Sequence, residues 1–262
     1  IILSGDINPD ITVDLIKKYF GSFESKEVPT FKAAVEDEIT EPEYVTVTGT
    51  NTAWVNIGYR LPGVKNEDIF MIDLFDNLLN NGQAGLIDLN LIKAQKVLDA
   101  YSSENVMKDY STFELSGVPR DGQNLDEVKD LLLAEIEKIK SGDFEEWMLK
   151  AVIKNFKLRE QEGLLYNRVR ASIMTDAFIL GKEWSDVANT NEKLNKVTKQ
   201  DIIDFANKYF KNNYVVVYKE NGERNSPKVE KPEITQIPLN REWITKQISE
   251  IQLLKNCYKK VA

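Results

Sequence analysis

Most of the residues with strand-like spacing precede most of those with helical spacing in this chain, and this order constrains the fold most. Strand-like alternation dominates between Tyr44 and Ser116, and helical spacing dominates from Leu125 to Phe210. A strand-like run, Tyr214 to Tyr218, then returns. Strands first, long helices next and one last strand favour an α+β fold, in which helices stack on one face of a largely antiparallel sheet.

The bounds of individual elements follow from the same spacing, together with capping and turn residues. Helices are predicted at 9–20, 67–80, 86–93, 125–140, 144–180 (with a slip near Gly163) and 199–210, and strands at 44–48, 53–59, 96–103, 109–116 and 214–218. The first two strands, joined by a turn at 49–51, are predicted to form a hairpin or a pair of adjacent strands. Trp54, on the strand face opposite Val55 and Ile57, is predicted to pack between sheet and helix, with contact to a peptide as the alternative.

The two ends of the chain differ in pattern from its middle. The apolar triplet Ile1 to Leu3 precedes Gly5 and no Met opens the chain, so we expect the last half of a buried strand from a larger folded protein; an edge strand left by processing is the alternative. Residues 22–43 and 220–242 lose periodicity and carry many charges, which indicates extended linkers. A short helical tail is predicted from Trp243.

Charge and cysteine content exclude several functional classes. The net charge is −8 and the pI is about 4.9, which argues against nucleic acid or an anionic membrane surface as a main partner. No apolar run approaches the ~20 residues of a membrane-spanning helix. The single cysteine, Cys257, rules out an internal disulfide and is predicted to be a free thiol. Cytoplasm and bacterial envelope (periplasm) both remain open as the compartment, so the localisation is unknown.

Three motifs resemble one protein family in order and spacing. The stretch Trp54 to Pro62 (WVNIGYRLP) resembles a strand of the insulinase/pitrilysin family of zinc metallopeptidases, in which an aromatic or apolar strand reaches Gly-Tyr-x-x-Pro. A helix and the turn Leu78 to Leu86 (LLNNGQAGL) follow, as in that family. The stretch Gly5 to Pro9, with a helix ending in Tyr-Phe-Gly after it, resembles the close of a preceding domain. The resemblance covers Ile1 to about Asn221.

This resemblance implies a domain organisation. Members of the family are built from homologous α+β domains that are paired into halves closing around a peptide. Residues 1–29 would end a preceding homologous domain and 30–43 would be a linker. Residues 44–220 would form an inactive peptidase-like domain, and 221–262 a linker and the start of a downstream segment. The triplet Lys-Tyr-Phe, which ends both the 9–20 and the 199–210 helix, would then be a relic of duplication.

The chemistry of the family's zinc site is missing from this chain. That site is an inverted H-x-x-E-H motif with a second Glu further on, and two neutral imidazoles keep the metal acidic enough to activate water. The chain contains no histidine. We therefore predict no catalytic residue, no metal ligand and no cofactor in this segment, with zinc expected in the parent protein upstream.

The remaining polar residues are predicted to have surface roles. Solvated helix faces are predicted for Glu145, Glu146, Glu160 and Glu162, and surface ion pairs for Arg168 and Arg170. No nucleophile–histidine pair is available, and Gly181-Lys182-Glu183 lacks the rest of a P-loop.

Non-catalytic domains of this family often lend an Arg and a Tyr, seven residues apart, to the partner's active site. Aligning Leu91 with the leucine before that Arg places Ile92 at the Arg position and Asp99 at the Tyr position, so both groups are lost. A small slip in the alignment, bringing Lys93 and Tyr101 into these roles, is the alternative. Otherwise Lys93 is predicted to be solvated and Tyr101 to pack at a strand end.

The sequence thus predicts a non-catalytic domain of a larger zinc metallopeptidase that helps enclose and contact a peptide substrate. Its expected partners are other homologous domains of the same chain and the peptide, with no nucleic acid and no membrane span. Two rivals stay open: a scaffold or protein-interaction subunit of degenerate peptidase type, and an unrelated α+β binding domain.

Overall fold

A computed structural model describes residues 1–223, which form eight α-helices and five strands. The helices are α1 (Pro9–Phe20), α2 (Ile72–Leu79), α3 (Leu125–Ser141), α4 (Glu146–Gly163), α5 (Asn167–Leu180), α6 (Trp184–Ala188), α7 (Thr190–Leu194) and α8 (Lys199–Tyr209). The strands are β1 (Glu43–Gly49), β2 (Trp54–Pro62), β3 (Asp99–Val106), β4 (Tyr110–Val118) and β5 (Tyr214–Asn221). A 3₁₀ turn at Ile69–Met71 and a π-helical turn at Asp88–Lys93 complete the list. The tail expected after β5, with Trp243 and Cys257, lies outside the described residues.

The five strands form one mixed sheet in the order β1-β5-β2-β4-β3. Every neighbouring pair is antiparallel except β1 with β5. Together with the helices this confirms the predicted α+β class with a largely antiparallel sheet. The predicted pairing of β1 with β2 is wrong, because β5 lies between them. The run Tyr214 to Val217 is apolar on both faces, which is typical of an inner strand, whereas β1 is exposed along nearly its whole length.

The helices cover one face of the sheet. α3 lies across β2 and β4, α8 packs against α3, and α2 packs against β3. The side chains of Val55 and Ile57 on this face are fully buried. Trp54 lies on the other face of β2, half-buried and outside the core cluster, so the prediction that it packs between sheet and helix is wrong. The alternation of buried and less buried residues along β2 was predicted correctly. Alternation alone does not indicate which face of the strand the helices cover.

Capping residues fix the two helices that build most of this layer. The Asn124 side chain accepts a hydrogen bond from the Glu127 backbone N–H at 2.8 Å, and Gly142, with φ of 74°, ends α3. At the start of α8, Thr198 and Asp201 form a reciprocal capping box. This cap places the start of α8 at Lys199, as the predicted range 199–210 has it. The long helical stretch predicted at 144–180 is divided into α4 and α5 after Gly163.

None of the first 42 residues belongs to the hydrophobic core that the described residues form. Ile1 and Leu3 are 74% and 49% exposed and belong to no strand, so the buried opening strand is not present in the described structure. α1 forms as predicted but buries none of its residues. The irregular segment after it reaches the sheet, where the Glu36 backbone N–H donates to the Tyr110 hydroxyl at 3.2 Å.

No helix within residues 1–223 combines the length and apolar character needed to cross a lipid bilayer.

Candidate functional site

The turn between α2 and the π-helical turn is organised around one buried carboxylate. Asp88 accepts hydrogen bonds from the Asn80 side chain at 2.8 Å and from the backbone N–H groups of Asn81, Gln83 and Gly85 at 3.0, 3.1 and 2.9 Å. A carboxylate that accepts several N–H donors holds the backbone around it in a single conformation. The glycine-punctuated turn is therefore a rigid feature of the surface.

Two glycines make this conformation possible. Gly82 has a φ of 76°, in the left-handed region that favours glycine. A Cβ on Gly85 would lie 2.4 Å from the carbonyl oxygen of Leu79, so any side chain there would force the turn apart. Lys93 donates a hydrogen bond to the Gln83 carbonyl and ties the turn to the segment that follows it.

The two positions predicted to align with the family's assisting Arg and Tyr are Ile92 and Asp99. Ile92 is partly buried against the core, and Asp99 is exposed at the start of β3. Neither can donate a hydrogen bond to a developing oxyanion when the aspartate is ionised. Lys93 is exposed as predicted, while its ammonium binds the turn. Tyr101 does not pack at a strand end, because it is the third residue of β3 and 49% exposed.

A cluster of carboxyl groups lies where α2 meets β3. Asp73 and Asp76, one helical turn apart on α2, face Glu104 of β3, and Asp76 is only 8% exposed. Asp76 Oδ1 and the hydroxyl of Ser102 on β3 are buried without a hydrogen-bond partner of normal geometry. A buried carboxylate without a partner is costly, so the acid form is favoured here.

The pKa values of these acids are raised accordingly. Burial raises the pKa of Asp76 to about 7; the nearby Ser102 opposes the rise, and Glu104 and Asp73 add to it. Burial, with Glu104 as a second cause, raises the pKa of Asp73 to about 6, while Lys182 opposes the rise. The raised pKa values favour the protonated forms of Asp76 and Asp73 at pH values where free carboxyl groups are ionised.

A cleft of about 900 Å³ opens beside this cluster, between α2, β3 and the chain from Gly181 to Leu194. Its charged lining residues are Lys65, Glu67, Asp73, Glu104, Lys182, Glu183, Asp186 and Lys193. Lys193 and Asp186 neutralise each other at 2.9 Å. The cleft is thus mixed in charge, with excess acid toward the edge strand β3. Its volume lies within the size range of ligand sites, and it opens beside the free edge of β3.

Surface roles predicted for other residues are partly confirmed. Glu146 is exposed and pairs with Lys150 at 2.8 Å. Arg170 does not form the predicted ion pair with a glutamate: its guanidinium donates to the Ser4 hydroxyl at 3.0 Å and to the Leu164 carbonyl at 2.7 Å. The prediction of a buried strand at Ile1 to Leu3 gave no indication that Ser4 would contact Arg170.

The sequence reasoning missed the buried carboxyl cluster, although a signal for it existed. Ile72, Asp76 and Leu79 follow one another at helical spacing, so Asp76 interrupts the apolar stripe of α2. A carboxyl group in such a stripe is either paired, protonated or bound to a ligand. Glu104 gave no comparable signal, because a charged residue on an edge strand is ordinary.

The comparison with protein families shows to which family this chain belongs. The model of the family described as "Peptidase M16 inactive domain" matches residues 1–156, more than half of the chain. The chain belongs to this family. The resemblance drawn from Trp54 to Pro62 and from the turn after α2 is thereby confirmed.

Individual relatives agree with the M16 assignment. The zinc protease PqqE of Helicobacter pylori is 21% identical over 219 residues, which cover 80% of this chain and 48% of that protein. A protease structure from Helicobacter pylori superimposes with a TM-score of 0.77 at 21% identity, over 83% of this chain and 54% of that one. The inactive peptidase domain of a putative zinc protease from Bordetella parapertussis gives 0.59 at 15% identity, over 68% and 97%. The chain spans about half the length of its curated relative, and the structural likenesses show the fold.

The zinc ion implied by the names of these M16 relatives does not fit the donors present here. Zinc sites in proteins use imidazole, thiolate and carboxylate ligands, with three or four converging on the metal. The chain has no histidine, and within residues 1–223 no group of three metal-ligating side chains converges. The carboxyl groups of Asp73, Asp76 and Glu104 do not form such a group either, and only Asp76 among them is buried.

Proposed function

We propose that this chain is a non-catalytic domain of a larger zinc metallopeptidase, and that it helps to enclose and contact the peptide substrate. One observation carries the proposal: the chain has the fold of an M16 peptidase domain but no histidine with which to hold the metal. Zinc and the catalytic base would then be supplied by a homologous domain upstream. Other homologous domains of the same protein would be its partners.

The edge strand β3 is the surface best suited to contact a peptide. β3 pairs with β4 on one side only, and its outward edge is free in the described part of the chain. An extended peptide can add to such an edge through backbone hydrogen bonds. Glu104, Asn105 and Val106 of β3 also line the large cleft, so side chains of an added peptide would reach it. The carboxyl group of Glu104, which lines the cleft from β3 itself, would favour a basic side chain there.

A crosslinking experiment tests this contact. p-Benzoylphenylalanine placed at Tyr101 on β3 is expected to crosslink an unstructured, lysine-containing peptide, whereas the same group at Tyr166, 65% exposed on another surface, is expected not to. Equal crosslinking at the two positions would contradict the proposal. The same preparation should carry no stoichiometric zinc after dialysis and should leave the peptide uncut; one equivalent of retained zinc would sink the non-catalytic assignment.

A scaffold role is the second candidate, and one observation favours it. Ile92 and Asp99 stand where assisting Arg and Tyr side chains would be required, so this domain has little to lend to a catalytic partner. The discriminating observation is the sequence upstream of Ile1 in the gene. An H-x-x-E-H motif about one domain earlier supports the enzyme; a preceding domain that also lacks it supports the scaffold.

A further inference from the structure

A second, smaller cleft separates α4 from the start of α8. Its volume is about 380 Å³, and it shares no lining residue with the larger cleft beside β3. Four lysines line it: Lys150, Lys154 and Lys157 from α4, and Lys199 from α8. A local excess of positive charge is unexpected in a chain whose net charge is −8.

The three α4 lysines form a single row. Their spacing of four and three residues places Lys150, Lys154 and Lys157 on one face of the helix. Lys199 follows Thr198, the N-cap of α8, on the opposite side of the cleft. The row and Lys199 therefore border the cleft from two elements.

The floor of this lysine cleft is apolar. Leu149 is 2% exposed and belongs to the core, while Ile153 and Val197 are partly buried and pack against it. Burial of apolar ligand surface on such a floor is favourable by roughly 25 cal/mol per Å². The cleft thus offers apolar contact at its base and cations at its rim.

Two of the four lysines that line the cleft have polar partners within the protein. Glu146 pairs with Lys150 at 2.8 Å, and the Lys199 ammonium donates to the Phe144 carbonyl at 2.6 Å. Among the described residues, no carboxylate lies within 4.0 Å of the Lys154 or Lys157 ammonium. These two cations are the ones available to an anionic ligand.

We propose that the lysine cleft binds an acidic peptide segment, with an apolar side chain on the floor and carboxylates at Lys154 and Lys157. Charge complementarity selects the acidic partner, and the apolar floor selects a peptide over a small inorganic anion. Among residues 1–223, none of those that line the cleft is aromatic, so it offers no ring on which a nucleobase could stack. A concave site with four lysines is also a poor match to a flat bilayer. This site is distinct from the edge of β3, so it does not depend on the function proposed above.

Fluorescence anisotropy tests the proposal directly. The probe is a fluorescein-labelled peptide, Gly-Asp-Glu-Leu-Glu-Leu-Asp-Glu-Gly, titrated with the full chain at about 50 mM salt, where exposed charges are only partly screened. The double variant Lys154→Glu/Lys157→Glu is expected to weaken binding by about tenfold or more, because attraction becomes repulsion. The matched double variant Lys26→Glu/Lys32→Glu, outside the cleft, changes the net charge equally and should alter affinity by less than about twofold.

Two further measurements distinguish binding in the cleft from a non-specific charge effect and from binding to a membrane. Replacing both leucines of the probe by serine should weaken binding about tenfold, because the apolar floor is left unfilled. Equal loss of affinity in the two double variants would mean a non-specific charge effect and would overturn the proposal. Sedimentation with phosphatidylglycerol vesicles that is abolished by Lys154→Glu/Lys157→Glu, with no loss of peptide affinity, would overturn it in favour of a membrane. Circular dichroism of each variant confirms that the fold is kept.

Discussion

The triplet Lys-Tyr-Phe ends two helices of this chain, and the two copies lie in opposite environments. At the end of α8, Phe210 is 1% exposed and stacks on Phe75, with ring centroids 4.2 Å apart. At the end of α1, Phe20 is 48% exposed, and within residues 1–223 its one aromatic neighbour is Phe23, edge-on at 5.7 Å. Identical side chains on similar amphipathic helices therefore form part of a core in one case and a surface in the other.

The difference teaches that amphipathicity alone does not bury a helix. Both helices have good caps: Asn8 accepts from the backbone N–H groups of Asp10 and Ile11 at 3.1 Å, and Thr198 begins α8 with a capping box. In the part of the chain that the structure describes, neighbouring helices cover the apolar face of α8, whereas α1 has no buried residue. We interpret the exposed face of α1 as the surface that a homologous domain would cover, in line with the proposed partners.

The largest expected effect concerns the phenylalanines of the two triplets, Phe210 and Phe20. Phe210→Ala should lower the free energy of unfolding by about 3–5 kcal/mol, because a buried ring is lost and a cavity remains among its neighbours. Phe20→Ala should change it by less than about 0.5 kcal/mol. Urea unfolding followed by tryptophan fluorescence measures both. Similar losses for the two variants would show that α1 is packed in solution.

A second test compares a carboxyl group on the packed helix α2, Asp76, with one on the exposed helix α1, Asp14. The measured quantity is the free energy of unfolding as a function of pH. The folded-state pKa of Asp76 is raised to about 7, above its unfolded value, so the folded state binds the extra proton. Its contribution to stability is full below the unfolded pKa and is lost as the pH rises through 7. We expect the free energy of unfolding to fall by roughly 2 kcal/mol between about pH 5 and 8.

Two substitutions control that titration. Asp76→Asn keeps the shape of the side chain and should remove the larger part of this fall, leaving the smaller part that comes from the raised pKa of Asp73. Asp14→Asn on α1, whose side chain is 80% exposed, should leave the profile as it is in the parent chain. A profile that rises with pH, or one that Asp76→Asn does not change, would refute the assignment of the buried proton to this cluster.

The smallest expected effect concerns the tyrosines of the two triplets. The Tyr209 hydroxyl lies 3.1 Å from Asn66 Oδ1 and 3.0 Å from Asp68 Oδ2, linking α8 to the turn before α2. Tyr209→Phe removes this link and should cost about 1 kcal/mol. Tyr19→Phe, on a ring 64% exposed, should have no measurable effect. Thermal melts of the two variants at one pH would reveal the difference, and coincident melts would count against the link.

Local structure was largely predictable from this sequence, and sheet order was not. The period of two along β2 and the cap at Thr198 depend on neighbouring residues, so they can be read directly. The position of β5 between β1 and β2 depends on residues far apart in the chain, and no turn motif encodes it. The parallel pairing of β1 with β5 is likewise invisible to local spacing.

The candidate sites were less predictable than the fold, for a physical reason. The missing histidines could be read from the sequence at once, because metal chemistry depends on residue type. The proton held near Asp76 depends on burial against β3, and the lysine cleft depends on α4 facing α8. Both arise from tertiary packing, which single-residue patterns do not specify.

The placement of β5 also has a consequence for synthesis on the ribosome. Glu43 and Val215 are neighbours in the sheet although 172 positions separate them, and β5 must enter between two strands made long before it. A nascent chain that still lacks β5 leaves the backbone N–H and C=O groups on one edge of β2 unpaired, which is a hazard for aggregation. We therefore expect chaperone dependence to persist until translation passes Asn221, and truncation before Tyr214 to yield inclusion bodies instead of a smaller domain.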